Sequence, residues 1–299
     1  MARTRAVVQP AFGLPPVRPE YLRDVVAGRD IGVVQAPLTL WQRLANQGWL
    51  RKALVLGVIA AGWEIYARSL NNPLLVPTFF STLEALKDGF VSGEIPEKML
   101  NSVILLLKGY GAGLVLATIF TSLAMMSRLG NDLLETLTSA FNPLPAIALL
   151  PLALIWFGLG DRSIIFVLVH SVLWAVALNT HSGFRSVSNT LRMVGRNYGL
   201  GGIPFVLKIL IPAAFPSILT GLKIGWAFAW RTLIAAELVF GVSSGKGGLG
   251  WYIYENKNML DIPAVFAGLL TVILIGLIVE NLFFRNIEAA TVRKWGMQS

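Results

Sequence analysis

Long apolar runs alternate with short polar breaks along this chain, and the runs have membrane-crossing length. Six of them, near 51–70, 101–126, 133–158, 163–181, 213–240 and 262–284, approach or exceed the roughly 20 apolar residues that a helix needs to cross a bilayer. Tight turns near Ser127–Asn131 and Gly158–Arg162 join the second run to the third and the third to the fourth. Three longer connections, 71–100, 182–212 and 241–261, leave room for structure outside the spans. In the first of these, Thr82–Val91 predicts a surface helix with Leu83, Leu86 and Phe90 on one face. Asn142, Pro143 and Pro145 interrupt the third run and predict a kink whose freed carbonyls face protein or water. The pattern therefore predicts an all-α integral membrane protein. Residues 1–49 form a basic tail with a short interfacial helix over 38–49, and residues 50–299 form a six-helix domain with a projecting loop at 182–212.

Composition agrees with lipid as a second solvent. The 299 residues are 55% hydrophobic and only 14% charged, against roughly 25% charged in soluble domains. The formal net charge is +9, which in a soluble protein would suggest nucleic acid. Here placement explains it. Of the 25 Lys and Arg, only Lys87, Lys98, Arg162, Lys246 and Lys257 fall on the side opposite the N-terminus, and Arg68, Lys108, Lys223 and Arg231 lie within spans. The remainder cluster on one face, which the positive-inside bias assigns to the cytoplasm together with both termini. No nucleic-acid partner is needed. The first 48 residues contain no apolar signal-peptide core, so the first span is expected to serve as its own insertion signal.

Several chemistries are excluded. There is no cysteine, so there is no disulfide, thiolate nucleophile or Cys-bound metal. Only His170 and His181 could act as imidazole bases or ligands, too few and too far apart for a membrane enzyme. His170 and Trp174, one helical turn apart, predict a helix–helix hydrogen bond. The segment 243–250, SSGKGGLG, lacks the Gly-Lys-Ser/Thr ending of a nucleotide-binding loop. It can cradle an anion on backbone N–H groups or serve as a flexible loop that meets another protein. An ATP-independent transporter would need coupling carboxylates within the membrane, and the spans offer only Glu64, Glu237 and Glu280.

The fifth run holds Lys223, Arg231 and Glu237. Lys223, Trp226, Trp230, Ile234 and Glu237 recur at i, i+3, i+7, i+11 and i+14, which is one helical stripe. Two readings stay open. The stripe lines a pathway where a cation and indole N–H groups meet an anion, or Lys223 and Glu237 snorkel to opposite interfaces and the tryptophans pack between helices. Arg231 lies roughly 80° off the stripe and is expected to pair with Glu64 or Glu280. Lys108 sits beside Gly109, Gly111 and Gly113, which allow a neighbouring helix to approach closely.

The segment 182–212 carries Arg185, Arg192, Arg196 and Lys208 and no acid. Gly199, Gly201, Gly202 and Pro204 divide it into two short helical stretches, which predicts a compact projection. Its residues resemble the cytoplasmic loop of binding-protein-dependent ABC importer permeases. That signature is Glu-Ala-Ala, three residues, Gly, then a spacer ending in Leu-Pro. Gly199 occupies the glycine, Ile211-Pro212 the Leu-Pro, and Arg196 a position that is often basic. The resemblance extends over about residues 50–296, through Asn179-Thr180, Gly183, Ala236-Glu237, Gly248-Leu249-Gly250 and Trp295, and is nearest the nitrate/sulfonate/taurine-type branch. The chain departs from it at Met193-Val194-Gly195, where the acid is missing.

The resemblance implies the type I ABC importer permease fold, with a coupling loop that docks on partner ATPases. Arg192, Met193, Arg196, Gly199, Gly201, Pro204 and Pro212 would carry the docking, and Lys223, Trp226, Trp230, Arg231 and Glu237 the translocation pathway. ATP and Mg would bind the partner ATPases, not this chain. It further implies a homodimer, two ATPase subunits, an extracytoplasmic solute-binding protein, a small anionic solute and residence in the bacterial inner membrane.

Overall fold

The computed structural model describes residues 46–240, 247–294 and 296. The chain divides into two compact units, 1–55 and 56–299. Of the first, the described residues comprise the start of α1 (Gly48–Leu70); the expected tail and most of the interfacial helix over 38–49 lie outside them, as do residues 243–246 and Trp295.

The elements that follow are α2 (Phe79–Val91), α3 (Glu94–Met126), α4 (Arg128–Phe141), a 3₁₀ turn (Ala146–Leu149), α5 (Leu150–Phe157), α6 (Asp161–Ser186), α7 (Asn189–Asn197), α8 (Gly202–Phe205), α9 (Ile211–Phe240), α10 (Leu249–Asn258), α11 (Ile262–Ile278) and α12 (Arg285–Glu288). No strand occurs among the described residues. Among the described residues five helical runs are long and apolar enough to cross a membrane: Gly48–Leu70, Glu94–Met126, Asp161–Ser186, Gly202–Val239 and Ile262–Arg293. The expected third span is instead a broken pair. Arg128–Phe141 and Ala146–Phe157 meet at 89°, so the pair counts as a sixth span only if both halves belong to one crossing. The cause is in the residues: Pro143 and Pro145 remove two backbone donors, and Pro145 forces Leu144 out of the helical region.

α6 forms the centre of the core. Val167, Leu168, Val172, Ala177 and their neighbours are buried on it, and its main partners are α9 and α3. Glycine sets how close those partners come. A Cβ built on Gly109 would lie 2.5 Å from the Leu168 Cβ, and one on Gly113 would lie 2.7 Å from that of Val172. Gly111 faces open space, so two of the three glycines beside Lys108 make the expected approach. Lys108 itself lies 3.7 Å from Asp161 at the start of α6.

Two local expectations change. α2 begins at Thr78, whose hydroxyl accepts from the Ser81 N–H at 3.1 Å. It buries Thr82 and Gly89 against α11 and α3; of the expected apolar face Leu86 packs against the core, while Leu83 and Phe90 stay exposed. Packing chose the small-residue face because it allows close approach to the neighbouring helices. The segment after Gly201 is also no separate short helix. It runs through a π turn (Val206–Leu210) into α9 and makes one 38-residue run.

Candidate functional site

The projection is built from local rules. Ser188 caps α7 through Leu191 N–H at 3.3 Å. At the other end Gly199 turns left-handed, φ 71°, and the N–H groups of Gly199 and Leu200 bond back to Arg196 O (2.9 Å) and Gly195 O (3.1 Å). This is a glycine helix stop. α7 then lies against the start of the long run. A Cβ on Gly195 would come 2.9 Å from the Phe205 ring and 3.0 Å from Ile209. The departure from the Ala of the resembled signature therefore has a packing consequence.

Of the predicted docking residues, Met193, Arg196, Gly199, Gly201 and Pro204 are exposed. Pro212 is half-buried near the start of α9. Arg192 turns inward instead. Its Nε donates to Val187 O at 3.1 Å and its Nη2 to Phe184 O at 2.5 Å, closing the C-terminal end of α6. Arg185 is held by Glu135 at 2.6 Å. What remains outward is a mixed apolar and basic surface: Leu191, Met193, Val194, Tyr198 and Ile203, with Arg196. Tyr198 is 82% exposed and Ile203 74%, more than an unpartnered soluble face tolerates without a reason.

The stripe on α9 does share one face, and that face is packed. Lys223 pairs with Glu288 at 2.6 Å and lies 3.8 Å from Glu280. Trp226 sits edge-on to Tyr110 and Phe284, and Trp230 donates its indole N–H to Val272 O at 3.3 Å. Glu237 is 3% exposed and fully occupied. Ser102 Oγ lies 2.9 Å from both carboxylate oxygens, and the Gly250 N–H donates at 2.9 Å. Ser102 in turn accepts from Leu249 N–H at 2.8 Å. Gly248 and Gly250 leave no space for a Cβ beside that carboxylate. In the described part of the 243–250 segment, the Gly250 N–H thus goes to the protein's own acid and the Leu249 N–H to the hydroxyl that serves it. Ser102 was not singled out from the sequence; a lone hydroxyl in an apolar run was its one signal.

Arg231 behaves differently. Neither Glu64 nor Glu280 pairs with it: Glu64 is taken by Arg68 at 2.6 Å, and Glu280 faces Lys223. Among the described residues Arg231 has no ion pair. Its Nε donates to Ala227 O at 3.1 Å, and its guanidinium lies 5.2 Å from the centre of the Phe228 ring. It lines a cavity of about 380 Å³ at the helix break, together with Asn142, Pro143, Pro145, His170 and Trp174. The helix–helix hydrogen bond expected of His170 is absent among the described residues. Neither ring nitrogen of His170 nor the indole nitrogen of Trp174 has a partner among the described residues; the two rings instead meet edge-on, and Phe141 stacks on Trp174. A second cavity of about 340 Å³ shares Asn142 and Pro143 and is lined by Thr138 and His181. An unpaired Arg in a span costs about 2.5–3.5 kcal/mol on insertion scales, so its retention points to a use.

Comparison with known proteins places most of the chain beside permease sequences. Residues 109–290 match the family described as the binding-protein-dependent transport system inner membrane component. An ABC transporter permease protein of Methanocaldococcus jannaschii is 32% identical over 73% of this chain and 82% of its own length. The taurine transport system permease protein of Escherichia coli is 28% identical, covering 79% of this chain and 86% of that protein. The nitrate import permease protein of a Synechocystis strain is 27% identical, over 81% and 89%.

Proposed function

Because the chain belongs to the family of binding-protein-dependent transport system inner membrane components, we propose that it is the homodimeric permease of an ATP-driven importer for a small anion. As a member of that family it is a transport subunit and not an enzyme. It receives solute from a binding protein and takes its energy from ATPase subunits. The anionic solute is supported by relatives that carry taurine and nitrate, and by an unpaired Arg231 in a cavity that no carboxylate lines.

One observation carries the coupling role: the exposed apolar and basic surface of α7 sits at the base of the 202–239 run. In this reading two cytoplasmic ATPases grip α7 in each half, both termini lie on that side, and ATP and Mg bind the ATPases. Gly195 seats α7 on Phe205 and Ile209, so its displacement passes into α9. Arg192 ties the same helix to the end of α6. Closure of the ATPases then shifts the population between inward-open and outward-open arrangements.

The test is co-expression with the ATPase and binding protein, followed by uptake of taurine and nitrate into proteoliposomes. Gly199→Leu places a branched side chain at φ 71°, a conformation that costs an L-residue roughly 1–2 kcal/mol. It has open space around it, so the damage is confined to the turn. ATP-driven uptake is expected to fall at least tenfold. Wild-type uptake by this variant, or no association of the wild-type chain with an ATPase, would overturn the reading.

A further inference from the structure

We propose that the cavity at the helix break is a binding station for a small oxyanion, held by the guanidinium of Arg231. The inference rests on the importer reading and names a site and ligand chemistry within it.

One cation, unpaired among the described residues, and the walls around it carry the inference. Arg231 uses Nε on its own helix, which leaves both Nη groups without an acceptor among the described residues. Two parallel Nη–H donors match the two oxygens of a sulfonate, carboxylate or nitrate. Trp174, 7% exposed, and His170 line the same cavity with their rings, while the indole N–H and both imidazole nitrogens are covered and have no partner among the described residues.

The rest of the lining sets the class of ligand. No acid opposes the guanidinium, so a cation gains nothing there. Pro143, Pro145 and Phe228 give apolar walls that suit a short organic tail as well as a bare ion. At about 380 Å³ the cavity lies near the lower end of the range for small-molecule sites. Asn142 and Pro143 form the partition to the second cavity, so the station lies directly before the break in the α4–α5 pair.

The experiment uses the full-length permease purified with its ATPases in maltoside detergent. Thermal unfolding is followed against methanesulfonate and nitrate, with neutral methanesulfonamide as control. Both anions are expected to raise the midpoint of the wild type, and methanesulfonamide to leave it unchanged. Arg231→Gln should raise the half-saturating anion concentration at least tenfold, and Arg231→Lys less. Arg162→Gln, outside the cavity, should bind as the wild type does.

Equal binding by Arg231→Gln and wild type would overturn the station. So would loss of the dimer on Arg231→Gln, which would mean that Arg231 pairs across the two copies. A phospholipid retained by the wild type but not by Arg231→Gln, without any response to methanesulfonate, would overturn it in favour of a lipid site. In each case ATPase association would leave the importer reading standing. Anion binding by a chain that recruits no ATPase would do the reverse.

Discussion

Arg231 and Glu237 ride on the same helix, six residues apart, in opposite circumstances. Glu237 is buried and answered from every side, by Ser102 on α3 and by the Gly250 amide at the head of α10. Arg231 lies in a span with its fork open to a cavity. A charge that the fold has satisfied holds helices together; a charge that the fold has left open is available to a ligand. The pair shows that a charge within a span is not by itself a sign of transport, and that its partners decide the matter.

Substitutions can break or sharpen this contrast. Glu237→Ala should have the largest effect on stability, about 2–6 kcal/mol, because it leaves the Ser102 hydroxyl and the Gly250 N–H without their acceptor at about 1–3 kcal/mol each. It is read as a lowered unfolding midpoint in detergent or as lost folded yield. Gly250→Ala comes next, because its Cβ would lie 2.6 Å from the Cβ of Glu237 and 2.7 Å from Ile234 O. Overpacking of this kind costs about 1–3 kcal/mol and should appear in the same assay. Ser102→Ala removes one donor to Glu237 and the acceptor for Leu249, with an expected loss of about 1–2 kcal/mol. Arg231→Gln should leave stability within about 0.5 kcal/mol or raise it, while solute uptake falls. A destabilisation by Arg231→Gln as large as that of Glu237→Ala would erase the distinction.

The sequence made the spans legible because hydropathy over twenty residues is a coarse and robust signal. Asn142, Pro143 and Pro145 likewise announced a break, but not its 89° turn, which depends on Leu150 and Ala153 packing into the core. The stripe from Lys223 to Glu237 was readable as a shared face, since periodicity reports direction. Whether that face meets water or protein depends on what the chain brings opposite it. Ser102 stands 135 residues from Glu237, and no spacing rule links the two. Arg231 was assigned an acid because Glu64 and Glu280 were the available acids in other spans. Arg68, one turn from Glu64, and Lys223 on the facing helix took them instead. The unpartnered indole of Trp174 was hidden for the same reason: a missing partner becomes visible only once every neighbour is in place.

The run from Gly202 to Val239 spans 38 residues, roughly 57 Å at helical rise. In the proposed importer this run would act as a lever whose short arm lies beneath α7. A tilt of about 5° at the base swings the far tip sideways by roughly 5 Å, about the width of a small solute. Arg231 travels with that tip, and the clip of Ser102, Leu249 and Gly250 around Glu237 obliges α3 and α10 to follow. A modest push at one membrane surface is thereby converted into a wide opening near the other.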